Sequence, residues 1–134
     1  MGPFVSLAPI SLAELSEKDL QRQVFDLLAL TGFGRVYHTF DSRRSAKGFP
    51  DIFALRERAI MLELKREKGK LTPAQKQWLA DLASAGLEVY LIRPRDLDAL
   101  AVVLAARSPF DGKRFDERLA ASRYLGARLR EEIG

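Results

Sequence analysis

The sequence predicts an α/β fold, a mixed central sheet with helices packed against it. Three observations lead there. Helical spacing and short apolar runs alternate in the order helix, strand, hairpin, helix, strand, helix. Two apolar runs, Gly48 to Leu55 and Ala59 to Lys65, are parted only by Arg56-Glu57-Arg58, which reads as a tight hairpin turn. The run from Leu87 to Ile92 follows a helix, and a strand reached through a helix returns parallel to the strand before it.

Each element has its own signal. Residues 1–15 read as an irregular arm. Ser16 is a helix N-cap with Asp19 three residues on, and the helix runs to about Leu30. Leu20, Val24, Leu27 and Leu28 form its inward stripe, and Gly32 ends it. Arg35 to Phe40 alternates as a strand, and a Ser- and Arg-rich loop carries Asp41 to Gly48. After the hairpin and a basic turn, Thr72-Pro73-Ala74-Gln75 opens a second helix, with a cap, Pro at the first position and Gln at the third. That helix ends at Ala85-Gly86, with Leu79, Leu82 and Trp78 inward. Leu87 to Ile92 is nearly all apolar, so a central strand covered on both faces is expected. Asp96 then caps a helix that buries Leu97, Leu100, Ala101 and Leu104. Ser108-Pro109 and Asp111-Gly112 mark a break, and Asp116 to Ile133 reads as a last helix with Leu119, Leu125 and Leu129 apolar. It could cover the core, join two copies or touch nucleic acid; its spacing does not choose. The expected organisation is an arm at 1–15, a core at 16–107 and a helical extension at 108–134.

The hairpin carries three charges where apolar residues are expected: Asp51, Glu63 and Lys65. A turn centred on Glu57 sets Leu55 opposite Ala59, Phe53 opposite Met61 and Asp51 opposite Glu63. Opposed residues have Cβ atoms about 4.5–5.5 Å apart, and like charges there repel. Such a pair needs a cation. Lys65, a diagonal neighbour, is one candidate and a divalent metal the other, since Mg²⁺ is held by one or two carboxylates plus substrate phosphate. The Leu64 carbonyl would add a third protein oxygen, and Lys65 would be free to orient a water. A salt-bridged hairpin without chemistry is the bland alternative.

Composition narrows the classes. A chain of 134 residues is one domain. It has no cysteine, which excludes disulfides and zinc–thiolate sites and fits a reducing compartment. No apolar run approaches a membrane span, and no basic leader region is expected at the start. Arg35 to Lys70 holds ten Lys/Arg against five Asp/Glu, although the whole chain carries only +4. That rim, including Lys47, Arg66, Lys68 and Lys70, suits a polyanion. Arg43 and Arg44 could clamp a phosphate or close a salt-bridged loop tip. Glu17 falls on the inward stripe of the first helix, where it either faces the site or complements the helix dipole. His38, the single histidine, is expected to pack or hydrogen-bond.

Pro50-Asp51 followed by Glu63-Leu64-Lys65 resembles the PD-(D/E)xK signature of metal-dependent nucleases. Around it, Ser16-Glu17-Lys18 with Gln21, Tyr37-His38-Thr39, Ser42-Arg43-Arg44-Ser45, Gly48-Phe49, Leu71-Thr72-Pro73 with Gln75 and Trp78, and Val89-Tyr90 with Arg93-Pro94 resemble the VRR-NUC branch. The likeness covers roughly Ser16 to Leu104. It implies a restriction-endonuclease-like core and an Mg²⁺- or Mn²⁺-dependent DNA endonuclease. Asp51, Glu63, the Leu64 carbonyl and Glu17 would hold metal, and Lys65 would orient the attacking water. Gln75 would turn to the site or serve only as the capping partner. Small stand-alone members resemble Holliday-junction resolvases, which implies branched DNA, a homodimer and the cytoplasm of a bacterial or phage-infected cell. A flap nuclease and a non-catalytic DNA-binding module are the alternatives.

Overall fold

The computed structural model describes residues 11–39, 46–107 and 115–134. Helix α1 spans Glu17–Leu30 and starts where the sequence places it: Ser16 Oγ accepts the Asp19 N–H at 3.0 Å and donates to the Asp19 carboxylate. Leu20, Val24 and Leu28, four residues apart, are its buried face. Strand β1 covers Arg35–His38, β2 Ile52–Leu55 and β3 Ala59–Leu64. Helix α2 is Pro73–Ser84, β4 Glu88–Ile92, α3 Leu97–Ala105 and α4 Phe115–Ile133. Residues of the supposed arm that are described form a single 3₁₀ turn at Leu12–Glu14, with Leu15 against the core.

The sheet has the order β1-β2-β3-β4. The first three strands are antiparallel and β3 pairs with β4 in parallel. Alternation along the strands divides the core between the two faces. Ile52, Ala54, Ile60, Leu62, Leu64, Tyr90 and Ile92 pack with α1 and α3. Met61, Val89 and Leu91 pack with Leu71 and with Leu79 and Leu82 of α2.

Two expectations change here. Strand β4 is at the border of the sheet, not its centre. Its residues Val89 to Ile92 are buried because helices lie on both faces, which leaves the same apolar run as burial between strands. Its outer side is occupied by α4. Leu125 joins the cluster on one face and Leu129, one turn later, the cluster on the other. Helix α4 therefore crosses the unpaired side of β4, one of the ways proteins protect a sheet border, and of the three roles open to it the structure shows the covering one.

Asp96 also departs from its expected role. It occupies the position before α3 but makes no side-chain cap there. Its fully buried carboxylate instead accepts the Arg93 N–H at 2.8 Å and the Tyr124 hydroxyl at 2.7 Å. Burial of that acid is tolerable because its oxygens have partners.

Candidate active site

The hairpin is closed by the Arg56 N–H on the Arg58 carbonyl at 3.0 Å. Its register is the expected one, Leu55 with Ala59 and Phe53 with Met61. The ladder ends at Ile52 and Leu62, one residue short of Asp51 and Glu63. Pro50 has no N–H to continue it. The end of β1 holds the Pro50–Asp51 backbone: Thr39 N–H donates to the Asp51 carbonyl at 2.9 Å and the Thr39 hydroxyl to the Pro50 carbonyl at 3.1 Å.

Where the ladder stops, the Asp51 carboxylate replaces it. Oδ2 accepts the Leu64 N–H at 2.8 Å. Sequence reasoning did not foresee this contact. A residue in an extended strand sends its N–H and its carbonyl to the same side, so the Leu64 carbonyl opens toward Asp51 as well.

Glu63 is 2% exposed, and Asp51 is near enough to act on its carboxyl. Burial, and then the charge and hydrogen bond of Asp51, push its pKa up to about 9. Lys65 offsets part of that shift and Glu17 adds to it. Glu17, open to solvent on the first turn of α1, is raised by partial burial; Lys65 then lowers it, Asp51 raises it and Arg66 lowers it. The four side chains thus feel one another at one end of the sheet. Among the described residues Lys65 makes no ion pair to either carboxylate, so it is not the cation that joins them.

Among the described residues no cation is ion-paired to Asp51 or Glu63, and the donors there are hard oxygens, the set that a small divalent cation prefers. Among the described residues there is no group of three or more His, Cys, Asp or Glu side chains that could hold a metal ion. The protein donors that converge are the Asp51–Glu63 pair, with Glu17 acting from farther away.

The loop leading into Asp51 is seated on α2. Gly48 has φ +85°, and a Cβ on it would lie 2.6 Å from the Ala74 carbonyl carbon and 2.7 Å from the Gln75 nitrogen. Trp78 Nε1 donates to the Lys47 carbonyl at 3.1 Å, and its ring meets Phe49 edge to face at 5.0 Å. Trp78 is thus only partly core. Gln75 takes the capping alternative: its Oε1 accepts the Thr72 N–H at 2.9 Å. His38 packs edge to face on Phe25.

The basic rim is smaller than the sequence suggests. Arg35, Arg56 and Arg58 lie at the hairpin-turn end of the sheet, away from Asp51 and Glu63. Arg56 stacks on Phe33 at 4.5 Å and donates to the carbonyls of Thr31, Leu104 and Ala106. Arg58 donates to the carbonyls of Val103 and Ala106, with its Nε 3.1 Å from Glu88 Oε1. These two cations close the ends of α1 and α3. Lys47, Arg66, Lys68 and Lys70 are exposed, while Arg43 and Arg44 lie outside the described residues.

A four-stranded mixed sheet between helices, with Asp51 opening one strand and Glu63-Leu64-Lys65 closing its partner, is an α/β fold of the restriction-endonuclease-like kind. The chain belongs to the VRR-NUC domain family, which matches residues 7–96, a nuclease domain family of the PD-(D/E)xK superfamily. The protein is a nuclease and DNA is its substrate class. No curated protein and no solved structure matches the chain. The match stops before α3 and α4. Among the described residues, no helix is long and apolar enough to cross a membrane.

Proposed function

We propose that this nuclease is an Mg²⁺- or Mn²⁺-dependent, structure-specific DNA endonuclease resembling Holliday-junction resolvases. The observation that carries the reading is the Asp51–Glu63 pair. It comprises two carboxyls close enough to act on each other, one of them buried, with Lys65, which among the described residues is ion-paired to neither, just past the end of β3. Asp51, Glu63 and the Leu64 carbonyl would hold the cation, with help from Glu17. When bound, the ion polarises the phosphoryl oxygens and lowers the pKa of water. Lys65 orients the attacking water and stabilises negative charge as it develops. Water adds at phosphorus, the bond to the 3′ oxygen breaks, and the products are a 5′-phosphate and a 3′-hydroxyl. Lys47, Arg66, Lys68 and Lys70, with Arg43 and Arg44, hold flanking phosphates. Gln75 acts indirectly, through the loop that α2 supports. A four-way junction requires two symmetric cuts, hence two sites and a C2 homodimer.

One observation favours a second reading, a DNA-binding module without cleavage. Asp51 is satisfied by the Leu64 N–H, and Glu63 can share a proton with it. A cleavage panel separates the two. Four-way junction, flap and linear duplex are incubated with Mg²⁺ or Mn²⁺, and the mass in solution is measured alongside. Wild type is expected to cut the junction, with Asp51→Ala and Lys65→Ala inactive. Binding without cutting on every substrate would establish the module instead. Cutting by a monomer, with flaps preferred, would replace the resolvase assignment with a flap nuclease.

A further inference from the structure

The turn after Lys65 is built from the inside. Its Gly69 N–H closes on the Arg66 carbonyl at 3.1 Å. Beneath it lies Arg93, only 4% exposed, whose Nη1 donates to the carbonyls of Arg66 at 2.6 Å, Gly69 at 2.7 Å and Glu67 at 3.1 Å. The other edge of the same guanidinium makes a two-pronged pair with Glu132 of α4: Nε to Oε2 at 2.8 Å and Nη2 to Oε1 at 2.6 Å. The one acid of the turn is drawn aside. Glu67 accepts the Arg95 N–H at 2.7 Å, and its other oxygen lies 2.9 Å from Arg95 Nε.

These contacts sort the turn by charge. Carbonyls and the carboxylate face the protein, whereas Arg66, Lys68 and Lys70 are exposed. Arg66 is also close enough to Glu17 to lower its pKa, so the turn borders the carboxylates. An arginine fork suits this task because its donors point in fixed directions.

We infer that the Arg66–Lys70 turn is a preformed binding site for the phosphates of the strand beside the cut. Arg93 and, from the C-terminal helix, Glu132 are its positioning residues. This rests on the nuclease reading above and extends it to a helix beyond the family match. Neither residue touches DNA. Arg93 holds the backbone that aims the three cations and that leads directly from Lys65, and Glu132 keeps Arg93 in place.

The test is DNA binding in EDTA, which keeps it apart from cleavage. Anisotropy of a labelled duplex is followed against potassium chloride concentration at a temperature well below Tm. Each lost phosphate contact makes the salt dependence shallower by about 1 in the log–log slope. Lys68→Ala/Lys70→Ala is the reference and is expected to lose about 2. Arg93→Met/Glu132→Leu replaces a buried ion pair by apolar side chains, a change that proteins often tolerate. With folding verified by circular dichroism, it is expected to lose about 1–2 although both lysines remain. Simple destabilisation would lower Tm without changing the slope.

Wild-type slope and affinity in the folded double variant overturn the inference while leaving the nuclease reading intact. Should that variant not fold, Glu132→Gln decides. It keeps the shape of the pair and removes its charge, and a slope equal to wild type overturns the inference in the same way. If wild type binds neither duplex nor branched DNA, the underlying reading fails and this one with it.

Discussion

Glu63 is a carboxyl buried at a cost in stability. Its folded pKa is pushed up to about 9, above the ordinary 4.5. The folded state therefore retains a proton that the unfolded chain releases, and stability falls as pH rises from about 4.5 to about 9. Glu63→Gln removes that penalty. In the absence of divalent ion it is expected to be more stable than wild type by about 1–3 kcal/mol at pH 8 and equal to it near pH 4. It is also expected to be inactive, and Mg²⁺ should raise Tm in wild type alone. Denaturant melts at the two pH values check this; a difference independent of pH would show that the folded protein does not hold a proton on Glu63.

At the scale of elements, the structure depends on how loops are seated. The strand that opens with Asp51 is entered through Gly48, pressed against the backbone at the start of α2. Helix backbone cannot move aside for a methyl group, and φ +85° disfavours any side chain. Gly48→Ala is expected to lose about 1–3 kcal/mol of stability. At a temperature where the variant is still folded, it should cut more slowly than wild type. Full-rate cleavage would mean that this loop does not position Asp51.

Elements governed by near neighbours were legible in the sequence. The Ser16 and Thr72 caps and the hairpin register depend on residues a few positions apart. Contacts across the chain were not. Arg56 reaches Leu104, and Arg93 reaches Glu132. No local pattern separates such arginines from DNA-facing ones, which is why Arg56 and Arg58 look in the sequence like part of a rim to which they do not belong. The position of β4 was hidden for a related reason, because burial by helices and burial by strands select the same side chains. The carboxylate pair was legible because charges inside an apolar run are rare and strand alternation is strict. The Leu64 N–H contact was not, since backbone donors leave no trace in a sequence.

In the whole molecule, α4 holds the two halves of the core together. Leu125 is completely buried in one cluster and Leu129 is 5% exposed in the other. Leu125→Ala is expected to cost about 2–5 kcal/mol, the range for a core leucine; a loss below 1 kcal/mol, roughly a surface-site effect, would make α4 an appendage. Acid acts on the same helix. The hydrogen bond from Arg93 holds Glu132 below the usual carboxylate range. Its contribution is therefore complete above about pH 4.5 and lost as pH falls through the lower folded value. Hydrogen exchange near pH 3 is expected to show α4 opening before α1, and Glu132→Gln should open it already at pH 7. Uniform exchange across both helices would separate Glu132 from the docking of α4.

By crossing the outer side of β4, the last helix also limits how copies of the chain can meet. A covered border cannot extend into a neighbour's strands, so no sheet can continue from one subunit to the next on that flank. The opposite border, where Tyr37 is 61% exposed and Val36 38%, is not closed in this way by any helix among the described residues. A junction-cutting pair would have to join through that border or through helical faces, and the choice would set how far apart its two cuts fall.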